Sequence, residues 1–572
     1  MASQTKTADS DDSNWLLPLG VLGLVLLAAI NYVKDDPTAE WVQSFVALGF
    51  GGVVAWGWYL HEKGRPKHLQ RLRDRLLLAF GLAGALGYCN FGNLHFGNYI
   101  HVWDTYHYYM GSKYFPEVKY DLLYDCTAIA DAEDGLRAQT EARVMTDLRT
   151  NVMHQASEVL ANPDVCKSHF TPARWAAYKH DVAFFRGRVN ATRWMEIHQD
   201  HGYNATPVWT LLGYALSNMA PASIGQITAL LLLDPIFLAL MALMVWWAFG
   251  PRAFALGMII LGTNFPNRYY WTGGAYLRHD WVFYLVAVVC LLKKDRPWLA
   301  GLALAYSTLL RLFPGLLAVG PLLAGVEYLR VHRKLDPNFM KFVAGGALGC
   351  ALLLPASFAA FGGVETWQKF AANTQKHAST PLTNHMGLRT VLSFRPSTIG
   401  QQMRDGSQID AWAKWKQMRL VKFNEAKPLF VLLLLACAGL IYLAIRNTGT
   451  DLWIAAALGG GYIVAGAELT CYYYCFLITM APLVTLRREV GIVFPVLALF
   501  TLWVGGANVG WLDEQYAAMS VASMMACIAI WFGFTRWGAT ALLPPEAPPV
   551  LFGEPVLVAA NTPREKKKRK KR

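Results

Sequence analysis

The strongest constraint on this chain is a series of long apolar runs, each approaching the roughly 20 residues that a helix needs to cross a bilayer. They fall near residues 15–33, 41–61, 76–95, 224–249, 253–261, 279–292, 298–310, 315–329, 342–361, 429–445, 452–466, 471–484, 492–504 and 516–534. The runs are continuous rather than alternating, which argues against a β-barrel. Only 16% of the 572 residues are charged and 54% are hydrophobic, whereas a soluble domain carries about a quarter charged residues. The pattern predicts an all-α polytopic membrane protein: a bundle of roughly 12–14 transmembrane helices with two long loops, at about 96–222 and 362–428.

Basic residues orient the bundle. Residues 63–75, Arg252, 293–296, 330–334, Arg446, Arg487 and Arg488, and the terminal KKKRKKR at 566–572 all fall on one side when the runs are counted as crossings. The acidic Asp35–Asp36 link and both long loops fall on the other. Basic loops stay in the cytoplasm, so a multi-pass cell-membrane protein is expected, with cytoplasmic termini and extracytoplasmic loops. The first run lacks a basic leader and a clear cleavage site, so it reads as an anchor. The chain divides into an N-terminal tail with two extra helices and a basic loop (1–75), a core (76–485), C-terminal helices (486–538), and a Pro-rich linker with a basic tail (539–572). Much of the net charge of +13 sits in that tail. On a membrane protein it favours anionic lipid headgroups over nucleic acid.

Two polar regions carry the candidate chemistry. At the exit of the third run stands HVWDTYHYYMGSKYFPEVKYDLLYDC (101–126), in which Asp104 precedes a dense run of tyrosines. Asp104 reads either as a general base or as a helix cap. Tyr108, Tyr109 and Trp271 are candidates for stacking on sugars, although an interfacial belt would also use tyrosines. Arg278, His279 and Asp280 lie at the outer end of one run, where Arg278 and Asp280 could pair with each other. Arg311 lies inside another, and an arginine there needs an anionic partner such as a lipid phosphate. Lys113, Asn204, His385 and Arg389 complete the candidate binding set, with Glu468 as a further acid at a membrane edge. Residues 131–160 read as a surface helix. Cys126 and Cys166 are candidates for a disulfide if their loop is extracytoplasmic. The nine cysteines show no zinc spacing, and no acidic pair suggests a divalent metal or other cofactor.

These residues resemble the GT-C class of integral membrane glycosyltransferases, and within it family 87, the polyprenyl-phosphate-mannose-dependent α-mannosyltransferases. In that family an early span ends in an outward loop with an aspartate, then a Tyr-Tyr stretch and a small-residue helix ending in tyrosine. Asp104, Tyr108–Tyr109 and GSKYFPEVKYDLLY are similar to these. YNATPVW (203–209) is similar to the family's Asn-x-x-Pro lead into the next helix, and RLFPG (311–315) to its basic-Pro turn. The likeness covers about residues 76–485. It implies Asp104 as general base, a polyprenyl-phosphate sugar as donor co-substrate, an inverted linkage, and a site on the outer face of the cytoplasmic membrane. The acceptor, whether glycan, lipid or protein, stays open. The chain departs from the family in its two additional leading spans and its unusually long first loop. A transporter or flippase for lipid-linked sugars or small solutes is the rival reading. The absence of an internal repeat, and the clustering of charge at one face, weigh against it.

Overall fold

A computed structural model describes residues 15–64 and 67–538. The polar N-terminal tail and the Pro-rich, basic C-terminal tail lie outside the described residues. The chain is mostly helical, with two small antiparallel ladders. Four helices are long and apolar enough to cross a membrane: Ile224–Phe249, Pro337–Phe361, Ala413–Thr448 and Leu512–Phe534. Six further apolar helices are shorter, among them Pro251–Thr263 and Pro297–Leu310. Local chemistry shortens or divides several runs. Within 224–249 the helix is interrupted at Leu232. There Pro235 offers no amide, and its ring crowds the carbonyl four residues back. The run at 471–484 is wound as a 3-10 helix, Cys471–Thr485, with Pro482 inside it.

Side-chain contacts tie the helices together. Asp74 accepts from both Arg73 Nη2 and Arg252 Nη2, each at 2.8 Å, joining helix Lys67–Tyr88 to helix Pro251–Thr263. Glu327 receives Arg330 Nη2 at 2.6 Å and the Tyr442 hydroxyl at 2.8 Å, joining helix Val319–His332 to helix Ala413–Thr448. The helices Lys67–Tyr88 and Pro251–Thr263 approach so closely that a Cβ on Gly262 would collide with the carbonyl of Gly84. Only glycine permits backbones to meet in this way.

The first long segment folds as a helical unit around a buried carboxylate. Asp131 Oδ2 accepts from Arg143 Nη2 at 2.5 Å and Trp194 Nε1 at 2.8 Å, and its Oδ1 from Arg186 Nη1 at 2.5 Å. Cys126 and Cys166, 40 residues apart, form a disulfide that ties helix Leu123–Asp131 to the turn Asp164–Lys167. The single surface helix expected over 131–160 is broken: only the short pieces Ala132–Leu136, Arg137–Glu141 and Ala156–Leu160 are helical. Strands Val144–Asp147 and Val152–Gln155 pair there as a hairpin. Asp147 accepts the Arg149 amide, and Asn151 takes a left-handed conformation with φ 59°. An Asp and an Asn so placed make a turn that outweighs helical periodicity. Nor do the tyrosines form a belt: Tyr106, Tyr109, Tyr114, Tyr120 and Tyr124 are buried and form the core of this unit. The second long segment ends earlier than expected, because helix Ala413–Thr448 already contains Pro428.

A disulfide closing such a loop contributes about 2–4 kcal/mol, mainly by constraining the unfolded chain. Replacing Cys126 and Cys166 together by serine is expected to lower the melting temperature of the purified protein and to speed proteolysis within 96–222. Unchanged melting and proteolysis would show that the bridge adds nothing to the unit.

Candidate functional site

Asp104 belongs to helix Val102–Lys113, but it does not cap it. His101 does, its Nδ1 accepting the Asp104 amide at 3.1 Å. The Asp104 carboxylate is thereby left for other partners. Its Oδ2 lies 2.9 Å from Nε of Arg278, with the two side chains 15% and 2% exposed. The approach is off line for a hydrogen bond, so Asp104 Oδ2 and both Nε and Nη1 of Arg278 lack a hydrogen-bond partner. Burial pushes the Asp104 carboxyl up to about 6, against the pull of Arg278 and Arg311. Beside it, Asp200 Oδ2 accepts Trp103 Nε1 at 2.6 Å.

One turn on from Asp104, the Tyr108 ring lies 4.3 Å from the Arg278 guanidinium carbon and 5.2 Å from that of Arg311. A ring face attracts cations without neutralising them. Tyr472 and Tyr473 add further aromatic surface near Arg278, at 5.3 and 5.9 Å. Arg311 is buried, and its Nε and Nη2 have no partner. Its hydrogen bond to the Leu310 carbonyl is long, at 3.5 Å. Two guanidiniums thus stand inside the protein with donors aimed at no acceptor. Each such donor is costly to bury, and an oxyanion has the chemistry to satisfy them. Thr272, Trp281, Tyr472 and Tyr473 line the narrow crevice beside Arg278.

A second carboxylate fixes this geometry. Asp234 accepts the backbone amides of Arg278 at 2.9 Å and His279 at 3.1 Å, and lies 2.9 Å from Nδ1 of the His279 ring. The other nitrogen of that ring meets the Tyr88 hydroxyl at 2.9 Å. His279 is therefore a structural link and not a free binding group. Asp234 was missed in the sequence, although a lone acid in the apolar run 224–249 is itself a signal. Arg278 and Asp280 do not pair with each other: Asp280 Oδ1 accepts the neighbouring Trp281 amide, and its Oδ2 has no partner.

Other candidates are placed elsewhere. Tyr109 and Lys113 lie on a different face of their helix. Lys113 Nζ sits 2.8 Å from Asp181 and donates to the Tyr109 hydroxyl at 2.9 Å, inside the loop unit. Asn204 holds Tyr108, accepting its hydroxyl at 2.5 Å. Trp271 stacks edge-on against Tyr270 near Arg268, with no recorded contact to Asp104. His385 and Arg389 gather on Glu468, with Arg389 Nε 3.2 Å and His385 Nδ1 3.8 Å from its Oε2. Among the described residues no group of three His, Cys, Asp or Glu side chains is arranged to hold a metal.

Replacing Asp234 by alanine strips two amides and an imidazole of their acceptor. A loss of about 3 kcal/mol or more in stability is expected, whereas Asp234→Asn, which keeps an acceptor oxygen, should lose less. Equal melting of the two variants would argue against this role. A scan against protein-family models gives no match for the chain, and searches of curated proteins and of solved structures return no similar protein.

Proposed function

We propose that the protein is a polytopic membrane glycosyltransferase of GT-C type, moving a mannose-like sugar from a polyprenyl-phosphate donor to an acceptor hydroxyl at the extracytoplasmic face. The observation that carries this reading is one buried, partly ionised carboxylate, Asp104, beside two guanidiniums whose donors lack acceptors. A phosphate would satisfy them through charge-assisted bonds. The alternation of basic connections along the sequence supports the orientation. The disulfide supports an oxidising compartment for the loops.

In the proposed step, Asp104 removes the proton of the acceptor hydroxyl. The oxygen so freed attacks the anomeric carbon, and the carbon–oxygen bond to the phosphate breaks. The bond's electron pair leaves with the polyprenyl phosphate, whose oxygens Arg278 and Arg311 stabilise. Attack from the face opposite the leaving group inverts the anomeric centre. Tyr108 lies beside both guanidiniums, 4.3 Å from that of Arg278 and 5.2 Å from that of Arg311, and offers its ring to the sugar. No metal is needed, because guanidiniums take the charge that develops on the leaving phosphate.

Two outcomes test the reading. With a panel of polyprenyl-phosphate sugars, Asp104→Asn is expected to cut transfer by about 100- to 10,000-fold while the protein still inserts and melts normally. Wild-type turnover in that variant would rule out the base, and solute uptake without product would favour a transporter. The base must be ionised to act, so the rate should rise with pH, bend near 6, and level off above it. Arg311→Gln removes a charge that opposes burial, so it should raise the donor KM and move the bend to higher pH. A bend that stays put would separate Arg311 from Asp104.

A further inference from the structure

A third buried guanidinium lies away from Tyr108. Arg419 lies in the second turn of the long helix Ala413–Thr448 and is 4% exposed. Its Nε and Nη1 have no hydrogen-bond partner. It makes no recorded ion pair, and its nearest aromatic neighbours, Trp415 and Phe394, stand 5.7 and 5.9 Å from the guanidinium carbon. The two carboxylates near enough to act on it are already engaged. Glu468 receives Arg389 at 3.2 Å and the Thr390 hydroxyl at 3.0 Å. Asp513 Oδ2 receives the Gly400 amide at 3.1 Å and Trp415 Nε1 at 2.9 Å, while its Oδ1 has no partner. Two further arginines stand close by: Arg389 lies 4.4 Å from the ring of Phe423, one turn on from Arg419, and Arg395 follows Phe394, whose ring is 5.9 Å from Arg419. Arg395 spends Nη1 on the Leu392 and Phe394 carbonyls and keeps its remaining donors. Three guanidiniums therefore outnumber two acids, and the most buried of them is unsatisfied. Leaving a buried cation so is costly unless a further anion completes the site.

The place of this cluster gives it a role. Strand His385–Met386 pairs with Leu469–Thr470 directly after Glu468, and the same stretch continues to Tyr472 beside Arg278. The cluster is thus joined through this short stretch to the Tyr472 side of the Asp104 site. We infer that Arg419, with Arg389 and Arg395, forms a second oxyanion site that holds a phosphate or carboxylate group of the acceptor. This rests on the transferase reading for the identity of the ligand, but not for the existence of the site. A chain that grips the donor phosphate at Arg278 and Arg311 and an acceptor anion at Arg419 would favour charged acceptors over neutral ones.

The test uses the full-length protein in detergent at constant ionic strength, with inorganic phosphate, glucuronate or chloride added. It is run in the Arg311→Gln background, so that binding at the donor site is weakened. Phosphate or glucuronate is expected to raise the melting temperature above the chloride control, and Arg419→Met to abolish that rise. The same substitution should leave or raise the melting temperature without added anion, because it removes an uncompensated buried charge. A response to phosphate alone points to a phosphorylated acceptor, and a response to glucuronate alone to a carboxylated one. A lower melting temperature for Arg419→Met without anion, together with an intact anion response, would overturn the site and make Arg419 a structural partner of Asp513 or Glu468. No response to either anion would also overturn it. In transfer assays Arg419→Met should raise the acceptor KM by roughly ten- to a hundredfold with the donor KM unchanged. If Asp104→Asn proves fully active while the anion response at Arg419 persists, the transferase reading falls and the anion site stands.

Discussion

Everything around Asp104 depends on keeping two guanidiniums out of water beside a single carboxylate. Arg278 is 2% exposed at its side chain and Arg311 is buried. Such groups, left to themselves, would pull in water or swing to the surface. They stay because the backbone that carries them is held by other means. Asp234 grips the Arg278 and His279 amides and the His279 ring, and Tyr88 closes the far side of that ring. Arg311 follows helix Pro297–Leu310 directly and precedes a 3-10 turn that begins at Phe313. Rigid supports of this kind keep donors in place without satisfying them, which suits a site that waits for an anion.

The helix Val102–Lys113 is the second support, and its two faces divide the labour. Asp104 and Tyr108, four residues apart, share the face toward the arginines. Tyr106, Tyr109 and Lys113 bind the helix to the loop unit through Thr127, Ala220 and Asp181. The unit in turn is closed by the Asp131 network and the disulfide. The long first segment is therefore a scaffold that presents one carboxylate, and most of its tyrosines are spent on packing. Their number in the sequence overstated how many could meet a substrate.

Parts of this arrangement were legible in advance. A carboxylate just after an apolar run, followed by an aromatic helix, singled out Asp104 and Tyr108, and an arginine inside an apolar stretch singled out Arg311. Other parts were not. Asp234 looked like one polar residue in a membrane run, because its three partners lie more than forty residues away. Arg419 sat in what read as a polar loop, where an arginine is ordinary. Its burial follows only from the helix that carries it and the contacts around Asp513. Tyr109 and Lys113 were grouped with Tyr108 by proximity in the chain, and helical geometry turned them away.

By itself the sequence determined the helical, apolar character of the chain and the approximate location of the two polar segments. These depend on local composition and on the cost of burying charge in hydrocarbon, both of which a sequence records directly. Tertiary structure alone decided that Asp104 meets Arg278 and is not a cap, that Asp131 gathers Arg143, Arg186 and Trp194 inside the loop unit, and that residues 144–155 fold as a hairpin. The physical reason is that a hydrogen bond or ion pair forms between groups the fold brings within about 3 Å, and chain separation does not reveal which groups those are.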